Sequence, residues 1–349
     1  MLSARCLGIT AAIVVLSGLV AELSSCHRAP RVEERHFSGD TQGTTYSIKV
    51  CAERISTEQE ASVRRAIEAR LAGIDGALST YRPDSEISQF NQFTETTPFR
   101  VSADVIQVLQ LAREVSITSD GAFDITVAPL VKAWGFGPAG RRADMPTEGE
   151  LAELRQRVGY EKVEIDSAAS TLRKTQPDVT CDLNAIAQGY TVDKIAADLD
   201  ALGYADYMIE VGGEVKTRGL NARGLPWHIG IEKPLTTGQV VELIVQLKDV
   251  AISTSGDYHN YYEENGVRIS HHVDPRTGRP ITHKLASVSV IDKQCALADA
   301  YATALTVLGP DAGYQLALKQ NLPVLFIIHT GPETFAEKAT PSFDGFVMK

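Results

Sequence analysis

Near its C-terminal end the chain carries Cys295-Ala-Leu-Ala-Asp-Ala-Tyr-Ala-Thr-Ala-Leu, a run rich in Ala and Leu that has no Gly or Pro from Ala296 to Leu308. That composition predicts a helix, and the run from Ser287 to Ile291 before it predicts a strand. On the helix Asp299 and Thr303 are four residues apart, one turn along the same face. A carboxylate and a hydroxyl so placed are two hard oxygen donors that can share a magnesium ion, the other positions going to water and substrate phosphate. The plainer alternative pairs Asp299 with a nearby N–H and turns Thr303 back onto the preceding turn.

Just upstream, His271-His272-Val273-Asp274-Pro275-Arg276-Thr277-Gly278-Arg279-Pro280 gathers imidazoles, a carboxylate, two guanidiniums and a hydroxyl around a Pro-x-x-Gly turn. Arginine forks suit phosphate, and histidine can move a proton near neutral pH.

The 349 residues leave room for one large domain or two small ones. A net charge of -10 opposes a nucleic-acid-binding surface, which would be basic, and no nucleic-acid signature is present. Arg5 and the apolar run Leu7 to Ala21 have the form of a secretory signal, too short for a comfortable membrane span. Leu23-Ser24-Ser25-Cys26 follows and resembles the lipobox of bacterial lipoproteins. The expectation is a signal segment over 1–25, lipidation at Cys26, and anchoring to the membrane in the periplasm; cleavage nearby would instead give a soluble periplasmic protein. Cys51, Cys181 and Cys295 then remain in the domain, too few and too scattered for a disulfide framework or a zinc site, and read as core residues.

Residues 26–40, polar and charged, read as a tether, and the domain is expected over 41–349. Strands are predicted at Thr44 to Val50, Val163 to Ile165, Thr171 to Arg173, Tyr207 to Val211, Trp227 to Glu232, Val240 to Leu247, Val250 to Thr254 and Pro323 to Ile328. Helices are predicted at Thr57 to Leu78, Asp104 to Ser119, Thr147 to Val158, from Asn184 to near Leu202, and at Asp311 to Leu318. Strands and helices do not alternate as βαβ units. The fold class is α+β: one domain of antiparallel or mixed sheets with packed helices.

Between these elements lie three further strings. Leu78-Ser79-Thr80-Tyr81-Arg82-Pro83-Asp84-Ser85 is turn chemistry with Tyr81 at its mouth, where a ring can stack on a planar ligand or pack a loop. In Asp120-Gly121-Ala122-Phe123-Asp124 the small residues permit close backbone approach, and Asp124 can accept from a ring edge. Asp182-Leu-Asn-Ala-Ile-Ala-Gln-Gly-Tyr190 feeds a helix through small residues, leaving N–H groups suited to phosphate. Neither the P-loop nor the G-x-G-x-x-G pattern occurs.

GTTY, LSTYRPDSEIS, DGAFD, DLNAIAQGYTVD, EVGGE, and HHVDPRTGRP with ADAYATAL resemble, in order, the motifs of the ApbE family, the FAD:protein FMN transferases. The likeness covers about Gly43 to Phe346. It implies a magnesium-dependent extracytoplasmic enzyme that cleaves FAD, passes FMN to a threonine hydroxyl of an acceptor flavoprotein, and releases AMP. The acceptor it implies is a membrane-bound or exported respiratory flavoprotein, such as a subunit of a sodium-pumping (Nqr) or Rnf-type reductase. By the same resemblance Tyr81, Ala122, Phe123, Asp124, Asp182 and Gln188 contact FAD, while Asp274 and Thr277 shape its site. Gln42 stands where members often carry Met, and Gln188 where charged residues are common. Asp299, Thr303 and the backbone carbonyl of Ala185 hold the metal, and His271 takes the acceptor proton. An FAD pyrophosphatase giving FMN and AMP, or a non-catalytic FAD-binding lipoprotein, are the competing functions.

Overall fold

The computed structural model describes residues 32–136, 144–235, 240–256, 261–264, 267–331 and 333–348. The expected signal segment and Cys26 lie outside them. Strands β1 (Glu33–Thr41) and β2 (Thr44–Ala52) pair along their whole length. Gln42 and Gly43 join them, both at positive φ (49° and 73°), as a two-residue hairpin loop whose twist matches its strands requires. This corrects the expected tether over 33–40. Its charged residues mark an edge strand, which natural sheets keep polar outside, while Phe37 is buried inside.

Helix α1 (Thr57–Leu78) starts on a capping box between Ser56 and Gln59 and buries Val63, Ile67, Leu71 and Ile74. A short α2 (Glu86–Gln92), capped by Ser85, follows directly on the expected turn. Then come β3 (Phe99–Arg100), α3 (Ala103–Thr118), α4 (Ala128–Ala133) and α5 (Glu148–Arg155), the last with a Thr147–Glu150 capping box. Strands β4 (Val163–Asp166) and β5 (Thr171–Lys174) complete a small sheet in the order β3-β5-β4.

Helix α6 (Ala187–Ala201) leads into β6 (Asp206–Val211) and β7 (Glu214–Arg218). Strands β8 (Trp227–Glu232) and β9 (Val241–Leu247) form a separate ribbon before β10 (Ala251–Gly256). Two hairpins follow, β11 (Tyr261–Glu264) with β12 (Val267–Ser270), and β13 (Val273–Asp274) with β14 (Arg279–Pro280). Last are β15 (Leu285–Asp292), α7 (Cys295–Lys319), β16 (Val324–His329) and β17 (Phe335–Ala339). The main sheet runs β1-β2-β6-β7-β10-β15-β16-β17, every pair antiparallel, as the α+β class requires.

The Ala- and Leu-rich pattern of α7 has a direct cause. One face of β15 sets Val288 and Val290 against the α7 alanines, and the other puts Ile291 with Ile252, Leu325, Ile327 and Phe343. Up to Gly309, α7 is thus enclosed by the sheet, α3 and α6, and a helical run buried nearly all round shows no apolar stripe. Its first N–H groups, at Cys295 and Ala296, are capped by Asp193 of α6. At Gly309 (φ 79°, ψ 179°) the backbone leaves the helical conformation before Pro310, so α7 consists of two helical runs across a kink, as the sequence predicts.

Candidate active site

The loop from α3 to α4 is built by its own hydrogen bonds. Gly121 N–H returns to Ser116 O and Ala122 N–H to Ser119 O, closing α3, while Ser119 Oγ accepts from Phe123 N–H. Asp182 N–H then donates to Ile125 O at 2.6 Å, lacing this loop to the segment before α6. Between them opens a cavity of 1430 Å³, above the roughly 300–1,000 Å³ of ordinary small-molecule sites. Gln42, Tyr81, Ala122, Phe123, Asp124, Asp182, Ala185, Gln188, His271, Asp299 and Thr303 all line it. Residues from widely separated motifs therefore converge on one space.

The acidic corner of this cavity depends on how closely α6 approaches α7. A Cβ on Gly189 would stand 2.5 Å from Cys295 O, so only glycine lets the two helices meet there. Gly189 N–H, in the first turn of α6, donates to Asp299 Oδ2 at 3.1 Å. The free N–H expected for phosphate is, at that position, spent on a carboxylate. One turn on, Thr303 Oγ1 lies 3.2 Å from Ser255 Oγ at the end of β10. Asp299 is 5% exposed, and burial pushes its pKa from 3.8 up to about 7. Across the same cavity Glu214 is held well above the usual carboxylate range, by burial first and the Asp299 charge second.

Along the same cavity the His271 and His272 rings lie 3.9 Å apart, tilted by 40°, and His271 meets Phe136 edge-on at 6.2 Å. His272 is half-buried, and desolvation of its ring together with the neighbouring His271 lowers its pKa well below the ordinary imidazole value. Tyr81 stands 71% exposed at the cavity rim. Gln42 Nε2 donates to Thr191 Oγ1 at 2.8 Å, which ties the β1–β2 loop to α6.

Asp124, expected at FAD, and Asp274 and Thr277, expected to shape its site, make hydrogen bonds within the protein. Asp124 borders the cavity, but Oδ1 accepts from Thr126 N–H and Oγ1, and Oδ2 from Tyr160 N–H. Its acceptors brace the loop, and burial raises its pKa despite those bonds. Asp274 does not line the cavity. Its carboxylate holds Arg276 through three hydrogen bonds, two of them to the guanidinium, and its carbonyl closes the turn to Gly278. Thr277 is exposed and accepts from Arg279 N–H. Both residues shape the turn that follows His271.

The sequence reading passed over Glu214, Ser255 and the stretch Ile229 to Glu232 of β8, all of which line the cavity. For Glu214 the signal was present: an acidic residue at an inward strand position just after Gly-Gly. Among the described residues no group of three or more His, Cys, Asp or Glu forms a metal site. The donors at the Asp299 corner are oxygens, with carboxylate, hydroxyl and the peptide of Ala185 on one cavity. Such a set fits a hard cation such as magnesium rather than zinc.

An imidazole and an acidic, all-oxygen corner lining one large cavity have the form of an enzyme active site. The chain belongs to the ApbE family, whose sequence profile matches residues 42–326. An FAD:protein FMN transferase of Vibrio cholerae is 42% identical over 337 residues, 97% of this chain and 99% of that protein. One from Haemophilus influenzae is 41% identical over 338 residues, 94% and 97% of the two chains. The solved flavin transferase ApbE from Vibrio cholerae matches with a TM-score of 0.81 at 42% identity, covering 90% of this chain and 99% of its own. The apo flavinyl transferase ApbE of Pseudomonas stutzeri gives 0.81 at 37% identity, covering 90% and 97%.

Proposed function

We propose that this chain is an FAD:protein FMN transferase that moves FMN from FAD onto a threonine hydroxyl of an acceptor flavoprotein and releases AMP. The observation that carries this reading is the convergence of His271, Asp299, Thr303 and Ala185 on one cavity, in a chain so similar to named flavin transferases. The acceptor oxygen forms a bond to the FMN phosphorus, the bond from that phosphorus to the bridging oxygen breaks, and AMP leaves. His271 takes the hydroxyl proton, a task for which a positioned imidazole contributes about 10²–10⁴-fold. Phe123 and Ala122 form an apolar wall against the flavin, with Tyr81 at the rim able to cover the ring. Asp182 and Gln188 offer polar contacts nearby; burial raises the Asp182 pKa.

Asp299, Thr303 and the Ala185 carbonyl would hold magnesium. When bound, the cation supplies charge neutralisation for the pyrophosphate and a template for the substrate. The pull of Gly189 N–H on Asp299 keeps that carboxylate aimed while α6 and α7 stay locked together. A lipid anchor at Cys26 would set the enzyme on the membrane facing the periplasm, where exported or membrane-bound acceptors of the sodium-pumping or Rnf reductase type are found.

The test uses residues 27–349 with FAD and magnesium, with AMP and free FMN quantified by chromatography in the presence and absence of an acceptor domain. AMP formed mainly with acceptor, and flavin covalently on it, is the expected result. Equal AMP and free FMN without acceptor would overturn the proposal in favour of hydrolysis, and FAD bound with no AMP would leave a binding protein.

A further inference from the structure

Glu214 opens β7 directly after the Gly212-Gly213 turn and lines the same cavity as Asp299. It is 7% exposed. Its Oε1 receives one long hydrogen bond from Ser253 Oγ, at 3.5 Å, and its Oε2 is buried with no hydrogen-bond partner among the described residues. The lysine two residues along the strand does not serve it, because Lys216 Nζ is committed to Asp193 at 2.6 Å and to Lys293 O. The charges that act most on Glu214 are Asp299 and Glu210, both negative.

A buried carboxylate with an empty oxygen and negative neighbours is costly. A glutamine would fill the same volume without the charge. The carboxylate makes physical sense when positive charge enters the cavity. We infer that Glu214 is a further acidic group of the cation corner, holding a divalent cation together with Asp299, Thr303 and Ala185, directly or through a bound water. Magnesium sites commonly combine one or two carboxylates with waters and substrate phosphate, and a second carboxylate here completes that pattern. Ser253 then acts as the positioning residue that fixes the Glu214 carboxylate from the β10 side.

The inference rests on the reading of the Asp299 corner as a cation site, and the two can fail separately. Mn2+ replaces magnesium as the probe, and its binding to the purified protein with FAD present is followed by the electron paramagnetic resonance of the free ion. Glu214→Gln is expected to weaken Mn2+ binding about 10–100-fold. Asp299→Ala is expected to abolish it. Glu214→Asp, which keeps the charge, should bind Mn2+ more tightly than Glu214→Gln when both melt at the same temperature without metal. Glu214→Gln within twofold of wild type, with Asp299→Ala defective, would overturn the role of Glu214 and leave the corner intact. Equal losses in Glu214→Asp and Glu214→Gln would also overturn it, since shape rather than charge would then matter. Normal binding by Asp299→Ala would remove the corner and this inference with it.

Discussion

Replacing Asp299 by Asn should make the metal-free protein more stable while removing its activity. The carboxylate is buried, and burial lifts its pKa from 3.8 to about 7. A carboxyl whose folded pKa lies above its unfolded value binds more protons in the native state across that interval. Its effect on stability is therefore most favourable below about pH 4 and is lost as pH rises toward 7. About three pKa units at roughly 1.4 kcal/mol each set a ceiling of about 4 kcal/mol above pH 7, which water in the open cavity reduces to about 2–4 kcal/mol. Asparagine keeps an oxygen for Gly189 N–H and avoids the charge. At pH 8 with a chelator, Asp299→Asn is expected to melt roughly 3–6 °C above wild type, and the gap should close toward pH 4. Saturating magnesium should raise the wild-type Tm and leave the variant unmoved. Differential scanning calorimetry over this pH range decides it. A variant melting at or below wild type at pH 8 would show that the carboxylate stabilises the apo fold, and the electrostatic account of the corner would be wrong.

His271→Ala should bind FAD with unchanged Kd, measured by flavin fluorescence, while single-turnover transfer falls about 10²–10⁴-fold; a lost Kd with a normal rate would make it a binding residue. Tyr81 is 71% exposed, so Tyr81→Ala should leave Tm unchanged and raise the KM for FAD about 3–10-fold through lost stacking. A KM equal to wild type removes the ring from the flavin site. Gly309→Ala places a Cβ 2.6 Å from His283 Cδ2 at a φ of 79°, and should cost about 1–3 kcal/mol, seen as a lower Tm in thermal melts. A melting curve superimposable on wild type would mean that the α7 bend relaxes freely.

The elements most visible in the sequence were those whose own pattern decides them. Helix α1 shows both its apolar spacing and its capping box, and its expected limits, Thr57 to Leu78, match the structure. Strands β6, β8, β9 and β10 alternate enough to be recognised, whereas β7 is not among the predicted strands. What escaped is set by pairing to a neighbouring strand rather than by the segment's own pattern. Strand β1 looks like a polar tether because only its neighbour β2 tells which side of it is inside. Strand β17 is short and charged, with its place defined by pairing to β16. Within the site, the motif strings named the right neighbourhoods, yet they did not separate residues facing the cavity from residues building the loops. Asp124 and Asp274 look equivalent to Asp299 in composition, but their oxygens go to Thr126, Tyr160 and Arg276. Glu214 carries the opposite lesson, since its importance lies in a partner it lacks.

The most direct measurement of the central claim follows flavin onto protein. An acceptor domain carrying a single modifiable threonine is incubated with FAD, magnesium and either wild type, His271→Ala or Asp299→Asn, and covalent flavin is read by in-gel fluorescence and intact mass. Covalent flavin with wild type, matched mole for mole by AMP, and greatly reduced with both variants or with a chelator, is the predicted result. Covalent flavin at wild-type rate from Asp299→Asn, or AMP released from FAD with none on the acceptor, would contradict the account.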